Sequence, residues 1–359
     1  MNPDPMNRAQ TRPAAAGTTL LAVSGMTVDF PTPGGLLRAL DDVHLDVPRG
    51  RTLAVVGESG SGKSVLARTV LRLLPPAARI ADTASARFDG TDLMRLPQEA
   101  MRAMRGRRIG MVFQDPMTAL NPVRRIGVQL EEALRVQLRM PADVARRRAI
   151  ALLREVGIPA AERRVDQFPH ELSGGMRQRV VIAMAIACEP DLLIADEPTT
   201  ALDVTVQAAI LELLRSLQQR RQMTMMLITH DLGVAAHHAD EMAVMYAGQI
   251  VERGSVRALM RQPRMPYTAA LLRAVPSLQA AAHARLDALP GRPPVMTVRQ
   301  PGCHFAARCA RRLDDCDRAV PPLAPPPGAD LRPQTAVRAA DPSGEVARLC
   351  RCWHPLEGA

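Results

Sequence analysis

The segment Thr52–Ser64 limits the possible folds more than any other part of the chain. Thr52-Leu-Ala-Val-Val56 is a short apolar run of the kind buried on both faces as a parallel strand. Gly57-Glu58-Ser59-Gly60-Ser61-Gly62-Lys63-Ser64 follows at once, and a helical pattern over Lys63–Leu74 follows that. A strand that turns through three glycines into a helix is one half of a layered α/β domain. The glycines let the backbone N–H groups around Gly57, Ser59, Gly60, Ser61 and Gly62 turn inward with no Cβ in the way. The helix start near Gly62 aims its positive end at the same point, so the turn is suited to cradling phosphate.

Lys63 is the only lysine in the chain, although Lys and Arg together number 46. Wherever a general positive charge was wanted, Arg serves; a lone Lys marks a place for a compact ammonium rather than a planar fork. In this turn it reaches the β- and γ-phosphates of a nucleotide such as ATP, and the Ser64 hydroxyl is placed for Mg²⁺.

From Leu20 to about Gly254 short β-like runs alternate with helical stretches. Strands are expected at Leu21–Phe30, Thr52–Val56, Ile109–Phe113, Leu192–Ala195, Thr224–Ile228 and Met242–Tyr246, and helices at Lys63–Leu74, Val123–Leu138, Ala142–Val156, Gly174–Ala187 and Val204–Gln219. Strands interleaved with helices imply a parallel sheet. The block from about 116 to 188 has no strand candidate and reads as a helical subdomain inserted into the sheet domain. Beyond Gly254 prolines break the pattern into a loop-rich tail.

The net charge of +10 invites a nucleic-acid partner, but aromatics make up only 2%, which leaves little to stack on bases. The basic residues are interspersed with acids and read as a solvated surface, so no nucleic acid is expected. The few aromatics also require an aliphatic core. No run reaches the roughly 18 apolar residues of a membrane span. Residues 1–19, polar and rich in Pro and Ala, lack the apolar centre of a secretory leader and read as a flexible N-terminal segment of a cytoplasmic chain.

Leu192-Leu-Ile-Ala-Asp196-Glu197-Pro is a buried strand that emerges in two carboxylates at its carboxyl end, where α/β sheets place ligands. Asp196 is placed to hold Mg²⁺, and Glu197 to accept the proton of an attacking water. Leu172-Ser173-Gly174-Gly175-Met176-Arg177-Gln178 opens a second helix whose start is capped by Ser173 and exposes amides at two glycines.

This second phosphate-binding helix start resembles the signature motif of ABC ATPases. The resemblance implies a RecA-like α/β core, an antiparallel β subdomain, an inserted helical subdomain, and ATP hydrolysis. It also implies that the signature motif of one subunit closes over ATP held by the other. By the same resemblance Gln114 matches the Q-loop glutamine that senses Mg²⁺ and the attacking water. Ala201-Leu202-Asp203 matches the D-loop at the dimer interface, and His230 the switch histidine that contacts the γ-phosphate. Phe30 is the candidate for stacking on adenine, with Thr32–Arg38 read as a lengthened turn beside it.

Three further stretches are similar to the dipeptide, oligopeptide and nickel importers: Phe113-Gln-Asp-Pro-Met-Thr-Ala-Leu-Asn-Pro122, Pro266-Tyr-Thr-Ala-Ala-Leu-Leu272 and the tail with its cysteines. That branch implies two transmembrane permease subunits, a second ATPase that is a different, related chain, and an extracytoplasmic solute-binding protein. It places the chain on the cytoplasmic face of the inner membrane as a peripheral subunit. The expected division is an ATPase domain over 20–260, with helical subdomain 116–188, and an importer-type extension over 261–359. Peptide uptake is the leading function; a nickel or other small-solute importer, and a soluble ABC ATPase acting on nucleic acid or ribosomes, are the alternatives.

The tail adds Cys303, Cys309, Cys316 and Cys352. Clustered thiols in a cytosolic protein suggest metal rather than disulfides. Their spacing lacks the paired CxxC of zinc ribbons; four thiolates suit a [4Fe–4S] cluster, with Zn²⁺ or packed reduced thiols as alternatives. Cys350 reads as an extra thiol and Cys188 as core.

Overall fold

The computed structural model describes residues 18–200, 202–274, 289–297, 300–327 and 347–357. Most of the N-terminal segment 1–19, and Ala201, therefore lie outside the described residues.

Two sheets form the domain. The first is antiparallel: β1 (Thr19–Thr32), β2 (Gly35–Pro48), β4 (Arg79–Ile80), β5 (Ser85–Phe88) and β6 (Thr91–Asp92), in the order β2-β1-β5-β6 with β4 on β1. Leu21, Val23, Met26 and Val28 of β1 point inward and are buried. The lengthened turn expected at Thr32–Arg38 is instead a tight hairpin: Thr32 pairs with Gly35, and Arg38 already pairs with Asp29 inside β2. Pro33 and Gly34 close it, and the Thr32 hydroxyl donates to the Gly35 carbonyl at 2.7 Å.

The second sheet has seven strands in the order β12-β11-β10-β3-β9-β8-β7. β3 (Thr52–Val56), β7 (Ile109–Val112), β8 (Leu192–Asp196), β9 (Thr224–Thr229) and β10 (Glu241–Tyr246) run parallel. β11 (Gln249–Ser255) and β12 (Leu349–Cys350) join antiparallel at one edge. Every residue of β3 is buried, which is why its sequence shows an unbroken apolar run rather than alternation.

Helix α1 (Lys63–Val70) stops short of the expected Leu74, because Arg72 takes a left-handed backbone (φ 52°) ahead of two prolines. α2 (Gln98–Met104) precedes β7. Between β7 and β8 the described chain is helical only: α3 (Pro116–Ala119), α4 (Ile126–Leu138), α5 (Ala142–Glu155), α6 (Ala161–Arg164) and α7 (Gly174–Ala185). α4 begins at Ile126 rather than Val123, since the Asn121 side chain accepts the Val123 N–H at 3.1 Å and holds a turn there. Leu130, Leu134, Leu152, Leu153 and Val180 of these helices share one core with Val112, Leu193, Ala195 and Leu227 of the sheet. On the other face Leu66 of α1 packs with Leu53, Ile194, Ile228 and the antiparallel sheet. Each such buried Leu contributes about 2 kcal/mol.

α8 (Val204–Arg221) and α9 (Leu232–His238) follow β8 and β9. After β11 come α10 (Val256–Arg261) and α11 (Pro266–Arg273), and then the loop-rich tail. The tail does not stand apart. Phe305 sits 5.3 Å from Tyr246 of β10 and 5.2 Å from Tyr267 of α11, between ring centres, and β12 extends the sheet. Among the described residues no helix is long and apolar enough to cross a membrane.

Candidate functional site

The turn Gly57–Ser64 joins β3 to α1. Gly62 has φ 104°, and a Cβ there would come within 2.6 Å of the Ala39 carbonyl oxygen of β2, so only glycine fits. Lys63 is buried at 4% exposure. Its Nζ donates to the carbonyls of Gly57 (2.7 Å) and Glu58 (2.9 Å) and lies 3.4 Å from Ser61 Oγ. Burial pulls the ammonium's pKa down, while the carboxylates of Glu197, Asp196 and Glu58 pull it back up.

Asp196 ends β8 and is fully buried. Its Oδ1 accepts the Ser64 hydroxyl at 2.8 Å, and Oδ2 has no hydrogen-bond partner among the described residues. Burial raises its pKa; the Ser64 hydrogen bond and Arg68 oppose that, and Glu197 adds to it. An orphaned carboxylate oxygen beside a hydroxyl, with a lysine nearby, is a hard-oxygen donor set that suits Mg²⁺.

Glu197 has a left-handed backbone, φ 45°, and its N–H donates to the Ile228 carbonyl of β9 at 3.0 Å. The carboxylate is thereby turned across the strand ends. Its Oε2 accepts Gln114 Nε2 at 3.0 Å and Thr200 Oγ1 at 2.9 Å; His230 Nδ1 lies 3.5 Å from Oε1. Gln114, Glu197 and His230 follow β7, β8 and β9, three neighbouring parallel strands, so sheet order alone brings together residues far apart in sequence. A carboxylate with an amide and an imidazole around it can accept a proton from water and hold the water in line.

Ser173 caps α7, its hydroxyl accepting the Met176 N–H at 3.4 Å. Gly175 is pressed against α8: a Cβ would meet Val206 Cγ1 at 2.7 Å. Asp203 caps α8 by accepting the Val206 N–H at 2.9 Å. Ser173, Gly174 and Asp203 are exposed, and Val204 beside them is 82% exposed. Among the described residues no hydrogen bond joins Ser173, Gly174 or Gly175 to the loop 57–64. Phe30 is half-buried against the core and pairs with Leu37, two residues from Ala39 at the phosphate loop.

In the tail, Cys303, Cys309 and Cys352 lie at the edge of the third core cluster. Burial raises the pKa of each, that of Cys352 to about 11, and the neighbouring thiols add to it: Cys316 and Cys309 act on Cys303, Cys316 acts on Cys309, and all three act on Cys352. The Cys303 N–H donates to the Cys316 carbonyl at 2.7 Å, closing the loop that carries three of them. Among the described residues no three of these sulfurs lie within 4.8 Å of one another. Four thiolates around one Zn²⁺, at about 2.3 Å from the metal, would stand closer together than that. The one trio of candidate metal ligands that close together among the described residues is Asp315, Cys316 and His354, with a single thiol in it. Cys350 is buried in β12, and Cys188 is buried near the Ala133 carbonyl of α4.

Two features had no sequence reading. Thr200 could have been found as a hydroxyl three residues past Glu197, the spacing of a turn. The contact of Glu58 with the tail could not: Arg308 Nη1 and Nη2 donate to its carboxylate at 2.6 and 3.0 Å across 250 residues.

Two family models match the chain: "ABC transporter" over residues 40–200 and "Oligopeptide/dipeptide transporter, C-terminal region" over 251–316. The oligopeptide transport ATP-binding protein OppD of Bacillus subtilis is 48% identical over 306 residues, 85% of this chain and 86% of that protein. The dipeptide transport ATP-binding protein DppD of the same organism is 49% identical over 302 residues, 84% and 90% respectively. Among solved structures, the ATP-binding cassette MJ0796, dimeric in a post-hydrolysis state with ADP and Pi, superposes with a TM-score of 0.59 at 28% identity, over 66% of this chain and 99% of that one.

Proposed function

We propose, from the premise that the chain belongs to the ABC transporter ATP-binding proteins of the oligopeptide/dipeptide branch, that it powers the uptake of di- or oligopeptides by hydrolysing ATP. The observation that carries the catalytic assignment is the convergence of Gln114 and His230 on the Glu197 carboxylate, at the strand ends that also place Lys63, Ser64 and Asp196.

Lys63 leaves the Gly57 and Glu58 carbonyls to pair with the β- and γ-phosphates, which the amides of the loop Gly57–Ser64 surround. Phe30 stacks on the adenine. Ser64 and Asp196 would hold Mg²⁺, which would neutralise charge developing on the phosphates. Glu197 accepts the proton of the attacking water, Gln114 orients that water, and His230 donates to the γ-phosphate. Thr200 fixes the Glu197 rotamer. Ser173, Gly174 and Asp203 face outward and, with Gly175 behind them against α8, complete a partner's site, so two ATP-binding chains are required. The partner is a second, related chain.

The functional division follows: an ATPase domain over 20–260, its helical subdomain over 116–188, and the importer-type extension over 261–359. Exposed Phe113, Met117 and Val123, on either side of Gln114, suit contact with two permease subunits on the cytoplasmic face of the membrane. An extracytoplasmic binding protein would deliver the solute. Cys303, Cys309, Cys316 and Cys352 would hold a [4Fe–4S] cluster, a reading supported by the loop that the Cys303 N–H closes on the Cys316 carbonyl and by Cys303, Cys309 and Cys352 sharing the edge of one core.

The test is an affinity pull-down of this chain from gently solubilised membranes of its own organism. Recovery of two permeases, a second ATPase and a peptide-binding protein is expected. Recovery of soluble ribosomal or DNA-repair proteins alone would overturn the transport reading.

A further inference from the structure

The phosphate loop is gripped from outside at one residue. Glu58, second in the loop, meets the C-terminal region through both backbone and side chain. Its N–H donates to the Tyr267 hydroxyl of α11 at 3.1 Å. Its carboxylate takes two hydrogen bonds from the Arg308 guanidinium, which is itself buried, donates to the Pro290 carbonyl at 2.8 Å and lies over the Tyr246 ring. The Glu58 carbonyl faces the other way and accepts Lys63.

This arrangement matters for nucleotide binding in two ways. When Lys63 turns to phosphate, the loop loses the hydrogen bonds that Lys63 Nζ gives to the Gly57 and Glu58 carbonyls, while the Ser61 N–H to Glu58 carbonyl bond and the contacts to Tyr267 and Arg308 remain. In addition, the Glu58 carboxylate is close enough to Lys63 to act on its charge. Unpaired, that carboxylate would repel an incoming triphosphate; the bidentate Arg308 fork cancels it.

We propose that Arg308 is a positioning residue for the ATP site: by pairing with Glu58 it neutralises the mouth of the phosphate loop and keeps the loop shaped for nucleotide. The proposal rests on the assignment of 57–64 as the ATP site. It makes the extension a working part of that site.

The test is a fluorescent-ATP titration of the full-length chain without divalent metal, so that binding is read without turnover. Arg308→Gln is expected to weaken binding roughly tenfold, within the range for coupled charged neighbours. Adding Glu58→Gln to Arg308→Gln removes the unpaired charge and should recover most of that loss. The loss should also shrink with added salt, a response that a merely structural defect would not give. Unchanged affinity in Arg308→Gln, or a loss that Glu58→Gln leaves in place, overturns the proposal. Should Arg308→Gln fail to fold, Arg308→Lys carries the test: it keeps the charge and loses the fork, so binding several-fold weaker than wild type is expected and identical binding overturns the idea. Lys63→Ala serves as the separate control. If it binds nucleotide normally, the site assignment fails rather than the role of Arg308.

Discussion

Gln114 Nε2 donates to Glu197 Oε2 at 3.0 Å, joining the ends of two neighbouring strands across 83 residues of sequence. The amide holds the carboxylate by the oxygen that Thr200 also uses, leaving Oε1 turned toward His230. Replacing Glu197 by Gln keeps the shape and removes the base. Turnover should fall by about 10²–10⁴-fold while nucleotide binding persists. Loss of binding in Glu197→Gln would instead give that carboxylate a structural role.

Gln114→Ala frees the same carboxylate without removing it. The expected result is a lower kcat with KM for ATP little changed, since Gln114 contacts no residue of the loop 57–64 among the hydrogen bonds described. An equal fall in affinity would place Gln114 in ground-state nucleotide binding.

Because Lys63 is the only lysine, an amine-directed acylating reagent has two targets in the whole chain, Lys63 and the α-amino group. Burial lowers the pKa of Lys63, so its free-amine form is populated at lower pH than that of a surface lysine. Intact mass measured over time should show a second adduct that forms slowly and is suppressed by ATP. An adduct rate indifferent to ATP would remove Lys63 from the phosphate site.

The carboxyl of Asp196 has its pKa raised by burial above the ordinary 3.8. The folded chain therefore holds that proton to higher pH than the unfolded chain does. This group's stability contribution is full below the unfolded pKa and is lost as pH rises through the folded one. At neutral pH the buried charge is a burden, so Asp196→Asn should raise the Tm of the nucleotide-free protein, by about 1–2 °C per kcal/mol relieved. The same change should abolish the Mg²⁺ dependence of nucleotide affinity. A lower Tm would mean that the ionised Asp196 stabilises the fold.

Anaerobically purified protein should carry about four irons per chain with matching sulfide, as a four-thiolate cluster requires. Cys309→Ser or Cys316→Ser should lower both, and Cys350→Ser should not. One zinc per chain and no iron would replace the cluster by a single-ion site.

The parallel strands were legible because each lies in a local pattern, an apolar run with glycines or carboxylates at its end, and the same patterns carry the residues proposed for the ATP site. The carboxylates of Asp196 and Glu197 needed only the strand before them to be placed at the edge of the sheet. The second half of the β1–β2 hairpin was hidden. Gly35–Pro48 carries charges at Arg38, Asp41, Asp42 and Asp46 that break its alternation; Asp41 and Asp46 are satisfied by partners distant in sequence, Gln249 and Arg253. The edge strand β12 is two residues long and has no pattern of its own. The Arg308–Glu58 pair is a property of the folded chain alone, because no local spacing connects residues 250 apart.

β12 has a consequence for handling the protein. It pairs through Arg253–Leu349 and Glu252–Cys350, and Ala324 lies on its far side. β11 is almost wholly buried and apolar in part, and without this cover it would present a row of unpaired amides and carbonyls as a template for a neighbouring chain. Cutting the protein before Leu349 therefore exposes an adhesive seam, and the shortened chain should assemble edge to edge and precipitate even where its ATP site is whole.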